Sequence, residues 1–161
     1  MNGSAEYDLR SLLDAPFEFT RQPDPIPPAL RPERRVPLAL LLVSKSHGSS
    51  GSWKGLQLLN WAIREPRNTE LILALRGNND MPDLPVVRFE PALDRALDLA
   101  VGLELLEQQA SGAYKLTAPG KRLVSQIIAS GAFAQERALL DSLPGKLTKK
   151  DVSHLLEWRV A

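Results

Sequence analysis

Few side chains in this sequence could move a proton or ligate a metal near neutral pH. The two histidines are His47, in a Ser/Gly-rich stretch, and His154, near the C-terminal end. Neither has a partner in an HxH, HxxxH or HExxH pattern, the spacings that put two ligands on one face, so no metal site is expected. The segment GSSGSWKG invites comparison with a phosphate-binding loop. Lys54, however, has no glycine directly before it and no Ser or Thr after it, and no strand leads into the segment. It reads as a flexible loop. Counting residues leaves a Ser-His-Asp arrangement open, but the GxSxG elbow is missing and His47 lies in that loop. The chain contains no cysteine, which removes thiolate nucleophiles, thiolate metal sites and disulfides. The expectation is a protein that is not an enzyme, with no cofactor and no small-molecule substrate.

The 161 residues are 43% hydrophobic and 24% charged, ordinary values for a chain that buries a core. Twenty basic residues against nineteen acidic ones leave a formal charge of +1. No whole-molecule attraction draws this chain to a polyanion or an anionic membrane, so any such binding must come from local patches. The longest apolar run, Val36 to Val43, is about half or less of the roughly 20 residues a spanning helix needs. No membrane association is expected, and a cytoplasmic location is.

The elements that would position functional side chains can be read from periodicity and punctuation. Residues 1–32 form a proline-rich arm, with one or two helical turns over Glu6 to Leu13 before Pro16, Pro23, Pro25, Pro27, Pro28 and Pro32. Such an arm lies along its own domain or reaches to a partner. A central helix is expected from Pro32, with Pro37 in its first turn. After the flexible connection SKSHGSSGSW, Ser52 caps an amphipathic helix stopped by Pro66. Asn68 or Thr69 caps a third, TELILALRG, followed by the loop NNDMPDLP and the β-prone VVRFE. Pro91 opens the strongest helix, PALDRALDLAVGLELL, with Leu93, Leu97, Ala100 and Val101 buried and Gly102 where it gives way. LELLEQQ and AYKLTA form a hairpin about the turn ASG. Thr117 caps a further helix with Leu123, Val124, Ile127 and Ile128 on one face. Two helices end the chain, FAQERALLDSL and LTKKDVSHLLEWRV, the second with Thr148 and Asp151 in a near capping box.

This order, closing on LELLEQQASGAYKLTAPGKRLV, resembles the winged-helix family of helix-turn-helix domains over roughly Arg34 to Ser130. The segment Gly102 to Leu123 is its most specific part, passing from GLELLE through a short turn to Y.LT..G..L. The resemblance implies a mainly α fold with a small β-hairpin. It divides the chain into the arm, a winged-helix domain at 33–130 and a C-terminal helical extension at 131–161. RFEPALDRALDLAVGLELL, with SWKGLQLLNWAI upstream, also resembles the middle subunits of three-component systems built around an SMC-like ABC ATPase. That implies an adaptor seated with a larger ATPase and an effector, in bacterial defence against invading phage or plasmid DNA.

A recognition helix that reads DNA needs Arg, Lys, Asn or Gln facing the groove and cations toward phosphates. Between Pro91 and Glu107 stand Asp94, Asp98, Glu104 and Glu107 against Arg95 alone, four acids less one base, or −3. Asp94, Arg95 and Asp98 are therefore either a solvated face or an acidic surface that docks a protein, with Trp53 as a further anchor. Trp53 and Trp61 stand about 80° apart on an ideal helix, so at least one belongs to the core; Trp158 is a third possible anchor. The wing tip, Ser111 to Ala113, lacks the cation that winged-helix regulators push into the minor groove. Lys115 on the wing strand is the nearest cation to that tip, and small basic clusters occur elsewhere: Arg31, Arg34 and Arg35; Lys121 and Arg122; Lys146, Lys149 and Lys150. These are ordinary surface charges or a weak, salt-sensitive grip on a duplex backbone through Arg34, Arg35, Lys115, Lys121, Arg122, Lys149 and Lys150. Two functions follow. One is a non-catalytic adaptor holding a larger protein, an SMC-like ATPase, beside DNA. The other is a stand-alone winged-helix regulator, dimeric through its first and last helices, contacting DNA through Arg95, Lys115, Lys121 and Arg122.

Overall fold

The computed structural model describes residue 27 and residues 31–76, 88–143 and 152–153. Most of the proline-rich arm, the NNDMPDLP loop, Val86 and Val87, the second terminal helix except Val152 and Ser153, and with it His154 and Trp158, lie outside the described residues.

The helix α1 (Pro32–Lys45) carries the run Val36 and Leu38 to Val43, all buried. A helix apolar on every side must be surrounded, and α1 packs against four other helices and the sheet. Pro37 corrects an expectation. The helix begins at Pro32, which puts Pro37 in the second turn, where its missing N–H forgoes the bond to the Glu33 carbonyl. The loop after α1 is also more ordered than its composition suggests. His47–Ser49 form a 3₁₀ turn and Ser50–Gly51 a short strand, β1.

Ser52 caps α2 (Trp53–Ala62), its hydroxyl accepting from the Gly55 N–H at 3.2 Å. Pro66 does not stop this helix; it opens the next, α3 (Pro66–Arg76). Asn68 and Thr69 accordingly do not cap α3 but donate backwards, to the carbonyls of Trp61 and Ala62 at 2.8 and 3.0 Å. They satisfy the orphan acceptors at the end of α2. Arg88 to Glu90 are not a strand, although the flanking residues favoured one.

After α4 (Pro91–Gly102) come β2 (Leu106–Gln108) and β3 (Tyr114–Leu116), paired antiparallel, with Gly112 at φ 76° in the turn. β1 pairs with the other edge of β3, giving the sheet order β1-β3-β2. Thr117 caps α5 (Ala118–Ala129) by accepting from the Gly120 N–H at 3.1 Å and also donates to the Glu104 carbonyl at 2.7 Å. Gly120 is needed for close approach: a Cβ there would stand 2.1 Å from the Leu105 carbonyl oxygen. The last described helix is α6 (Ala134–Ser142).

One apolar cluster joins Leu40 and Leu42 of α1, Leu56 and Leu58 of α2, Leu93 and Leu97 of α4, Leu116, Val124, Leu140 and Val152. The fold is mainly helical with a small three-stranded antiparallel sheet, an arrangement compatible with a winged helix. It departs from a plain helix-turn-helix, which joins its two helices by a turn of about 3–4 residues; here α3 stands in the chain between α2 and α4. Among the described residues no helix is long and apolar enough to cross a membrane.

Candidate functional site

The N-terminal end of α4 is fixed by side chains from one row of α2. Trp53, Gln57 and Asn60 stand at the helical spacing that aligns them, and Gln57 and Asn60 are buried at 0% and 2% exposure. Gln57 accepts from the Glu90 N–H at 2.9 Å and donates to the Glu90 carbonyl at 3.2 Å and to Asp94 Oδ1 at 2.8 Å. Trp53 Nε1 donates to the same Asp94 oxygen at 2.6 Å. Asn60 donates to Glu90 Oε2 at 2.8 Å. Glu90 also pairs with Arg35 of α1, one contact being 3.1 Å, and with Arg64 after α2. Burial pulls the Glu90 carboxyl upward, but hydrogen bonds from Asn60 and Arg64 and the charges of Arg35 and Arg64 outweigh it and hold the carboxyl below its usual range.

Two anchors expected on an open docking surface, Trp53 and Asp94, are thus brought together but bonded to each other, each half-buried. Phe89 stands edge-on to Trp53, ring centres 4.9 Å apart at 74°. Arg95 and Asp98 do face solvent. Burial, then the carboxylates of Asp98 and Asp94, push the Tyr114 hydroxyl above its ordinary value.

At about 100° per residue the solvent side of α4 divides. Arg95 and Gly102 run along its middle, Asp94 and Asp98 on one flank, Ala92, Leu99 and Leu103 on the other. Leu99 is 41% and Leu103 55% exposed. Beyond Leu103 the helix closes in a Schellman motif: Leu105 N–H donates to the Ala100 carbonyl and Glu104 N–H to that of Val101, both at 2.9 Å. Glu104, at φ 57°, holds the left-handed position normally given to glycine. Gly102 lies within the last turn instead.

The basic residues are dispersed. Arg35 is committed to Glu90, and Arg34 pairs with Glu136 with its guanidinium 5.4 Å from the Phe133 ring centre. Both expected backbone contacts are thus ion-paired within the chain, Arg35 with most of its side chain covered and Arg34 with half of it exposed. Lys115 is exposed on β3 opposite Glu107, and Lys121 and Arg122 are exposed in the first turn of α5. Lys149 and Lys150 lie outside the described residues.

A cleft of about 790 Å³ lies between the β1 loop, the wing turn and α6, lined by Ser46, His47, Ser52, Leu59 and Gln109, with the Lys45–Asp141 ion pair in its wall. No three His, Asp or Glu side chains among the described residues gather as a metal-binding group.

Reading for apolar periodicity missed Gln57, Asn60 and Glu90. The legible signal was polar: Trp53, Gln57 and Asn60 share one row of a helix whose neighbours are nearly all apolar. No protein-family model matches the chain, nor does any curated protein or solved structure.

Proposed function

We propose that this chain is a non-catalytic winged-helix adaptor, a subunit that holds a larger protein of the SMC-like ABC ATPase class in a complex acting on DNA, in defence against phage or plasmid DNA. The ATPase and the defence role rest on the resemblance of the α4 segment to such middle subunits. The observation that carries the adaptor reading is the solvent side of α4. Where a DNA reader needs Arg, Asn or Gln, it presents Asp98, Leu99, Gly102 and Leu103 with Arg95 as the sole base. An anionic helix is repelled by phosphates, whereas mixed apolar and charged surface suits a protein interface.

The experiment is affinity purification of the tagged chain from its native host, with and without nuclease. A large ATPase recovered in constant ratio after nuclease supports the reading; DNA alone, lost on nuclease treatment, refutes it. A second reading draws on Lys115, Lys121 and Arg122, three exposed bases on adjoining elements: a stand-alone regulator would grip a duplex there. Its mark is duplex binding by the isolated chain that all three alanine substitutions weaken and that falls steeply with salt.

A further inference from the structure

Arg34 and Lys45 stand toward the two ends of α1, eleven residues apart. On a helix turning about 100° per residue that leaves them about 20° from alignment, so they share one face, and Leu38 and Leu41 fall on the same face between them. Both leucines are buried. The element packed along this face is α6: Glu136 pairs with Arg34, and Asp141 with Lys45. Around α6 Leu140 lies between the two carboxylates, and it belongs with Leu38, Leu41 and Leu143 to the one apolar cluster. The hold is slight. Within α6 only Leu140 is buried, and Phe133 at its N-cap is left-handed and supplies no side-chain cap. Leu140, Asp141 and Leu143 also stand in the wall of the cleft, so one side of α6 meets open space. Solvent reaches both ion pairs, and pairs of that kind hold little. At nine residues α6 is too short to persist as a helix without packing.

We infer that α6 is a displaceable strap, and that the α1 face beneath it is a docking site for an acidic amphipathic helix of a protein partner. The occupant in place shows the chemistry that the face accepts: a carboxylate for Arg34, an apolar residue for the leucine stretch and a carboxylate for Lys45. A partner helix repeating the Glu136–Leu140–Asp141 pattern would make the same contacts in the helix-in-groove mode. The strap would then loop out, because Ile127 before it and Val152 after it both belong to the core. That double tether keeps the chain's own α6 at high effective concentration and disfavours its exchange with a second copy. A duplex would satisfy the two bases but leave the leucines uncovered, half of what the face offers. Only chains with the strap released are competent, so strap opening sets the partner's apparent affinity. The partner rests on the adaptor reading, whereas the strap is a property of the chain alone.

The test uses the isotope-labelled full chain, wild type and with Glu136→Lys and Asp141→Lys together. In hydrogen exchange the wild-type α6 amides should exchange at least about tenfold faster than those of α4, and faster still in high salt. In the variant they should gain further while α4 stays protected, and adding Arg34→Glu and Lys45→Glu, which restores opposite charges, should slow them again. A synthetic peptide of residues 131–143, titrated to millimolar concentration, should shift the resonances of Arg34, Leu38, Leu41 and Lys45 in the Glu136→Lys, Asp141→Lys chain and leave the wild type unmoved. Exchange of wild-type α6 only in step with α4 overturns the strap. A variant chain that the peptide does not shift, or a short duplex that displaces the peptide from it, overturns the docking site. None of these outcomes touches the adaptor reading, which stands or falls on the protein recovered from the native host.

Discussion

The two ends of α4 use similar residues to opposite effect. At the N-terminal end, Asp94 accepts from Trp53 and Gln57, and Glu90 gathers Arg35, Asn60 and Arg64, so every polar group is turned toward α1 and α2. At the C-terminal end, Asp98, Leu99, Leu103 and Glu104 face outward, and the apolar pair is left uncovered. A buried carboxylate is tolerable only when paired and hydrogen-bonded, so the first end is built for position. At the second end the backbone closes the helix, while the Leu99 and Leu103 side chains stay in solvent and are left for a partner to cover. Acid on a recognition-type helix thus has two meanings within a few residues.

The largest effect expected on this contrast is at Glu90. Replacing it with Ala takes the shared acceptor from Asn60, Arg35 and Arg64 and should cost about 2–4 kcal/mol in urea denaturation. Because its carboxyl is held below the ordinary glutamate range in the fold, its contribution is complete above that range and is lost as pH falls through the lower folded value. The melting temperature of wild type should drop on acidification more steeply than that of Glu90→Gln. Trp53→Phe keeps the ring but removes the donor to Asp94, an expected loss of about 1 kcal/mol. Glu104→Gly should act in the other direction, adding roughly 0.5–1 kcal/mol by relieving the left-handed backbone. Leu99→Ser with Leu103→Ser should leave stability within about 0.5 kcal/mol of wild type. A large loss there would mean that the outer flank is structural after all and would erase the contrast.

The fold was legible where local signals agree with tertiary packing. The run to Val43 gave a buried central helix, Ser52 and Thr117 cap the helices they precede, and the Thr117–Gly120 spacing is explained by a cap and a close approach to Leu105. β1 was not legible, because two residues in a Ser/Gly stretch carry no alternation and are held by pairing with Tyr114 and Lys115. Pro66 read as a stop because proline marks both ends of helices, and only the geometry distinguishes a terminator from a first-turn residue. At the candidate site, the exposed Arg95 and Asp98 were read correctly as surface. Trp53, Asp94 and Arg35 were read as outward-facing because their partners, Asp94, Trp53 and Glu90, lie far away in sequence; Arg34 is exposed but ion-paired with Glu136.

The most direct test of the account compares recovery of the partner by two tagged chains from the native host after nuclease treatment, the wild type and the Leu99→Ser, Leu103→Ser double variant, each shown to have the same melting temperature. The account predicts that the wild type retains a large protein in constant ratio and that the double variant loses it. Equal recovery by both, or recovery of DNA alone, would contradict it.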